Sequence, residues 1–262
     1  MKKQIPNTSW ENSSKWYDKT VGDKGHHYHQ NVILPKLLEK MNLSRDPGPE
    51  VLDLGCGQGI LARAIPKATN YMGIDLSPTL IEQAKRNTTG KFREFIVGDA
   101  TKFMKLDQKF THAVMLLSLQ NMEYQDRAIQ NLGRCLLPGG QIFLVLNHPC
   151  FRIPRQSSWE TDPQNSLRYR RINRYKSAMR IPIQTHPGQG EESPSTWSFH
   201  HPIEDYIKWL VQAGCLISDC EEWVSDKSSG TGGKTVKMEN MSREEFPLFL
   251  FLQAKKIEVK NA

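Results

Sequence analysis

The heptapeptide DLGCGQG, residues 53 to 59, constrains this chain more than any other segment. It follows a short apolar run, VLDL (51–54), and precedes a helix predicted from about 59 to 67. Glycines 55, 57 and 59 let the backbone turn sharply, and let a ligand approach main chain that a side chain would cover. Strand, glycine loop and helix in that order open a doubly wound α/β sheet, whose ligand crevice lies at the carboxyl ends of the strands. The spacing is G-x-G-x-G, not the G-x-G-x-x-G of dinucleotide sites. Asp53, two residues before the first glycine, would sit badly beside a pyrophosphate. It suits a ligand carrying an ammonium and a sulfonium.

The following residues keep the rhythm that such a sheet requires. YMGID (71–75), FREFIVGD (92–99), HAVMLLSL (112–119) and QIFLVLN (141–147) read as strands. Ser77-Pro78 opens one helix with a cap and a first-turn proline, and residues 123–136 carry helical spacing through Ile129, Leu132 and Leu136. LPGG reads as a tight turn before the fifth strand. Upstream, Asn31 is placed to cap a helix ending near Met41, with Pro35 in its first turn. The alternation lapses for about fifty residues after 150 and resumes with IEDYIKWLVQAG (203–214), an amphipathic helix closed by glycine. LISDCEEW (216–223) and FPLFLFLQAKK (246–256) read as two last strands joined by a polar loop. Alternating strands and helices give a mostly parallel sheet covered on both faces. The expected organisation is a cap at 1–48, a Rossmann-like core at 49–150, an insertion at 151–200, and 201–258 completing the core.

Two more carboxylates fall at strand ends. Asp75 lies about 20 residues beyond Gly55, the spacing at which an acidic residue meets a ribose. Asp99, in VGDA, ends the third strand, where it can accept a hydrogen bond from an adenine amine. Each alone could be an ordinary turn or helix cap; together they outline an adenosine site. VLDLGCGQG, YMGIDLSP, VGDA, FTHAVMLLSLQNM and LPGG, in this order, resemble the successive motifs of class I S-adenosylmethionine-dependent methyltransferases. The branch most similar is the small-molecule type 11 group around the ubiquinone and menaquinone methyltransferases. Thr111 departs from that pattern, where aspartate is commoner.

The resemblance implies a Rossmann-like sheet with an antiparallel last strand, and S-adenosyl-L-methionine as cofactor, leaving as S-adenosyl-L-homocysteine. Asp53, Gly55 and Gly57 would hold the methionine moiety, with Cys56 contributing backbone. Asp75 would bind the ribose, Leu76 would pack on adenine, and Asp99 and Ala100 would bound that ring. Leu116 would line the methyl side, and Tyr17 of the N-terminal lid would lie near the cofactor.

The acceptor side is less constrained. Asn147, His148 and Arg152, in LVLNHPCFR, follow the fifth strand and are placed at the rim of the transfer site, with Tyr28 of the cap opposite. His148 is the leading candidate for a general base, ahead of Tyr28, His27, His29, His200 and His201, although a plain turn residue before Pro149 is an equal alternative. GHHYHQ (25–30) has the residue types of a metal site but no acidic or cysteine set beside it, so no metal is assigned. Residues 151–180 carry eight basic side chains against Glu160 and Asp162, most of the net charge of +7. That segment suggests an anionic small-molecule acceptor, or alternatively RNA or a protein. The absence of an N-P-P-[YF]-type motif after the fourth strand speaks against the alternatives. A cofactor-binding regulator without catalysis and a nicotinamide oxidoreductase are further readings, disfavoured by the complete aspartate set and by Asp53. Five cysteines without a C-x-x-C pair argue against disulfides or zinc. With no apolar segment after the N-terminal lysines, a cytoplasmic location is expected.

Overall fold

The computed structural model describes residues 10–14, 21–22, 24–44, 48–106, 110–184 and 195–257. Its centre is a seven-stranded sheet built from β1 (Glu50–Leu54), β2 (Asn70–Asp75), β3 (Arg93–Val97), β4 (Phe110–Leu116), β5 (Leu136–Asn147), β10 (Cys215–Trp223) and β11 (Phe249–Lys256). The order across the sheet is β10-β11-β5-β4-β1-β2-β3. β1 to β5 run parallel, whereas β11 is antiparallel to both of its neighbours. The strand order reverses at β1, so the crevice opens over β1, β2 and β4.

Period-two alternation divides the apolar residues between two cores. Leu52, Leu54, Leu144, Leu146, Leu250 and Leu252 face one side, with α4 (Gln125–Cys135) and α5 (Ile203–Gln212) packed over them. Val51, Phe143, Val145, Phe249 and Phe251 face the other, covered by α1 (Leu34–Met41), α2 (Ile60–Ala64) and α3 (Pro78–Asn87). Thr111 earns its place locally: its hydroxyl accepts the Glu50 N–H and donates to the Glu50 carbonyl, tying β4 to β1.

Four expectations change. The predicted helix capped at Asn31 begins instead as a π-helical turn, His29–Ile33, which passes into α1. Pro35 in the first turn of α1 has no N–H to give an upstream carbonyl, which disturbs the ordinary ladder. Asn31 lies inside this turn, its amide donating to the His27 carbonyl. α2 is shorter than predicted, ending at Ala64 before Pro66. LPGG is not a turn ahead of β5 but a bulge within it: the register passes from Phe110↔Leu136 to His112↔Gln141. Finally, the link between β10 and β11 contains α6 (Lys234–Glu245), and the lapse after residue 150 holds two hairpins, β6 (Ser157–Asp162) with β7 (Leu167–Ile172) and β8 (Met179–Gln184) with β9 (Ser195–His200).

Candidate active site

The glycine loop closes tightly over the end of β1. Gly55, Gly57 and Gly59 all have positive φ, at 76°, 55° and 81°. A Cβ on Gly55 would lie 2.4 Å from the Ser118 Cβ, so only a glycine lets the Ser118 side chain pack against the loop. The Gly57 N–H donates to Asp75 Oδ2 and the Ser77 N–H to Oδ1, both at 2.9 Å. These donors oppose the effect of burial, which raises the Asp75 pKa. Asp99 lies at the neighbouring strand end, its Oδ1 held by the backbone and hydroxyl of Thr101.

These strand ends share one cavity of about 490 Å³. Gly55, Gly57, Asp75, Leu76, Asp99, Ala100 and Leu116 all line it. So do Tyr28, Asn147 and Arg152 from the acceptor side. Tyr17 lies outside the described residues. Asp53 and Cys56 are beneath the loop rather than on the wall. Asp53 is 1% exposed, accepts the Tyr71 hydroxyl at 2.7 Å, and is pushed up to about 7 by burial. Its other oxygen, Oδ1, is buried with no partner. Burial also holds the Cys56 thiol well above its usual range, which removes any thiolate role.

The expectation for His148 does not fit its surroundings. The side chain is 1% exposed and off the cavity wall. Its Nδ1 accepts the N–H groups of Cys150 and Phe151, which leaves the ring proton on Nε2, donated to Glu222 at 2.6 Å. With both nitrogens used, His148 shapes the turn after β5. His27, His200 and His201 are engaged with Asp226, the Tyr175 carbonyl and Asp205, away from the wall. His29 does line the cavity, stacked at 4.0 Å on His26, and burial drives its pKa to about 3. It remains neutral at ordinary pH.

Several wall residues were not singled out from the sequence. Trp10, His26, Leu117, Ser118, Gln120, Asn121 and Phe249 all face the cavity. The SLQNM segment, following a buried strand, was the available cue. Leu117 adopts φ 51°, an unusual conformation for a bulky residue, and its carbonyl accepts from the Gln120 side chain. Ser118 Oγ donates to the Leu54 carbonyl at 2.8 Å. Gln120 Oε1 is buried with no partner, an acceptor in want of a donor.

Residues 52–144 match the family model described as a methyltransferase domain. A 2-phytyl-1,4-naphtoquinone methyltransferase from Nostoc punctiforme is 31% identical over 202 residues, covering 72% of this chain and 81% of that protein. The chain belongs to the class I S-adenosylmethionine-dependent methyltransferases. A ubiquinone/menaquinone biosynthesis C-methyltransferase from Bordetella avium is 32% identical over 105 residues, so the match spans about two fifths of each protein (38% and 41%). In fold, the chain is similar to an S-adenosylmethionine-dependent methyltransferase from Mesorhizobium loti, with TM-score 0.63 and 22% identity over 80% of this chain and 91% of that one.

The residues present fit the cofactor of this methyltransferase family. The strand-end carboxylates of Asp75 and Asp99 on the cavity wall and the buried, unpartnered Asp53 oxygen beneath the loop together suit a cationic adenosyl ligand. Among the described residues, no group of three or more His, Cys, Asp or Glu converges on a metal-sized position. No helix among them is long and apolar enough to cross a membrane.

Proposed function

We propose that this protein transfers a methyl group from S-adenosylmethionine to a small, anionic organic acceptor. The observation that carries the proposal is the single cavity in which Asp75 and Asp99 stand at successive strand ends beside the glycine loop. Gly55 and Gly57 hold the methionine end through backbone, Asp75 takes the ribose hydroxyls, and Leu76, Asp99 and Ala100 bound the adenine. Bound S-adenosylmethionine supplies a methyl already activated on a sulfonium. The protein's own work is therefore alignment and exclusion of water. Leu116 and Leu117 wall the methyl side, and Tyr28, Asn147 and Arg152 face the acceptor. No side chain on the wall is assigned as general base. His29 is too weak a base, and His26 accepts the Tyr28 N–H on Nδ1, which leaves its proton on Nε2.

An RNA or protein acceptor loses part of its support, because four of the eight basic side chains of residues 151–180 meet carboxylates. Arg168, Arg171, Lys176 and Arg180 meet Glu239, Glu160, Glu204 and Glu123. Calorimetric titration with S-adenosylmethionine and with NAD tests the proposal. Binding of the first alone is expected, weakened roughly tenfold by Asp75→Ala, the scale of one charged hydrogen bond. Binding of NAD, or an unchanged affinity in the variant, would refute it.

A further inference from the structure

Arg152 is the cation of the acceptor side, and its setting is specific. It belongs to the turn after β5, whose backbone is closed by the Arg152 N–H donating to the His148 carbonyl. One Nη1 donates to Asn147 Oδ1 at 2.8 Å, and the guanidinium lies 5.4 Å from the centre of the Phe249 ring. Both Asn147 and Phe249 are themselves on the cavity wall. Among the described residues the Nε and Nη2 edge makes no hydrogen bond and Arg152 meets no carboxylate, and these nitrogens are not sealed from the cavity. The contrast with the paired arginines of the β6–β7 hairpin is chemical: those are satisfied by the protein, and this one is not.

The other groups around it do not supply an anion. Tyr28 and His26 are the polar side chains on the cap side, and burial together with Arg152 keeps His26 below its ordinary pKa. Arg170 is close enough to help lower the Arg152 pKa, but it is turned to the Phe151 carbonyl and Ser157 hydroxyl. The acidic groups of the cavity, Asp75 and Asp99, belong to the adenosine end. The surrounding wall is mainly apolar, with Pro154 from the turn after β5, Ile183 from β8 and Phe249 from β11. A partly buried guanidinium without a counter-ion is costly unless a ligand supplies one.

Resting on the methyltransferase reading above, we propose that the acceptor is a carboxylate on a largely apolar body, gripped two-pronged by the Nε and Nη2 edge of Arg152. A planar carboxylate matches that edge with two parallel hydrogen bonds. One guanidinium suits a monoanion better than a phosphate dianion, which gathers several cations. Asn147 is a positioning residue that aims the guanidinium.

The experiment uses ¹⁹F NMR on the full chain saturated with S-adenosyl-L-homocysteine. The probes are 4-fluorobenzoate, the neutral 4-fluorobenzamide and 4-fluorophenyl phosphate. The carboxylate is expected to bind at least tenfold more tightly than the amide or the phosphate. Arg152→Gln should remove that preference, Arg152→Lys should restore part of it, and all variants should keep S-adenosyl-L-homocysteine binding, which also shows that they fold. Equal binding of carboxylate and amide, no carboxylate binding, tighter binding of the phosphate, or an unchanged preference in Arg152→Gln would overturn the inference. Failure of the wild-type chain to bind S-adenosyl-L-homocysteine would instead sink the methyltransferase reading beneath it.

Discussion

Asp53 shows how burying one carboxyl makes stability depend on pH. The native carboxyl holds its proton up to about pH 7, whereas in the unfolded chain it ionises near 4. Between those values the unfolded state releases the proton first, so stability falls as pH rises and levels off above 7. Asp53→Asn keeps an oxygen for the Tyr71 hydroxyl and removes the ionisation. The ligand-free variant is expected to melt at a higher temperature than the wild type at pH 8, with no such gain at pH 4. Thermal melts at the two pH values decide it, and an equal gain at both would refute this account. Asp75 and Asp99 reach the cavity because a strand end followed by a turn fixes where a side chain goes, whereas Asp53, inside β1, lies beneath the loop. The setting of His148 was not legible, because its position after β5 says nothing about Glu222, which comes from β10, more than seventy residues later.

At the scale of elements, a short helical turn at Glu11–Ser13 straps the cap to α3. Glu11 accepts hydrogen bonds from the hydroxyls of Ser77 and Thr79 and from the Thr79 backbone, and Trp10 beside it reaches the cavity wall. Those hydroxyl donors lower the Glu11 pKa, first Ser77 and then Thr79. The strap is thus fully formed above the ordinary carboxylate range and lost as pH falls through the lowered value. Glu11→Ala should speed dissociation of S-adenosylmethionine a few-fold with little change in melting temperature, since Ser77 still caps α3 by accepting from Leu80. Stopped-flow release measurements check this; an unchanged rate would show that the strap does not cover the ligand. Nothing in the polar N-terminal sequence announced such a contact. α6 escaped notice for a related reason: Ser242 is its one buried residue, so it has no apolar stripe for a pattern to catch.

For the whole molecule, β1, β2, β4 and β5 were legible because buried parallel strands are continuous apolar runs, and the edge strand β3, REFIV, through its alternation. The two hairpins were not, because half-buried strands such as LRYRRI carry charges on both faces. Their arginines looked like a free basic surface until their partners, scattered from Glu123 to Glu239, were brought together. A filter-binding assay at low salt should therefore show no retention of structured RNA; retention that falls steeply as salt rises would reopen that reading.

The position of β11 has a consequence for how the chain is made. Phe249 of β11 pairs with Asn147 of β5, about a hundred residues earlier, and β11 separates β5 from β10. During synthesis β5 leaves the ribosome with one edge already seated on β4 and the other bare. That bare edge must wait through the making of both hairpins, α5, β10 and α6. The first five strands can assemble the cofactor crevice early, yet Phe249, the platform under Arg152, arrives with the strand that seals the sheet. A nascent chain could therefore hold the methyl donor before the proposed acceptor seat exists.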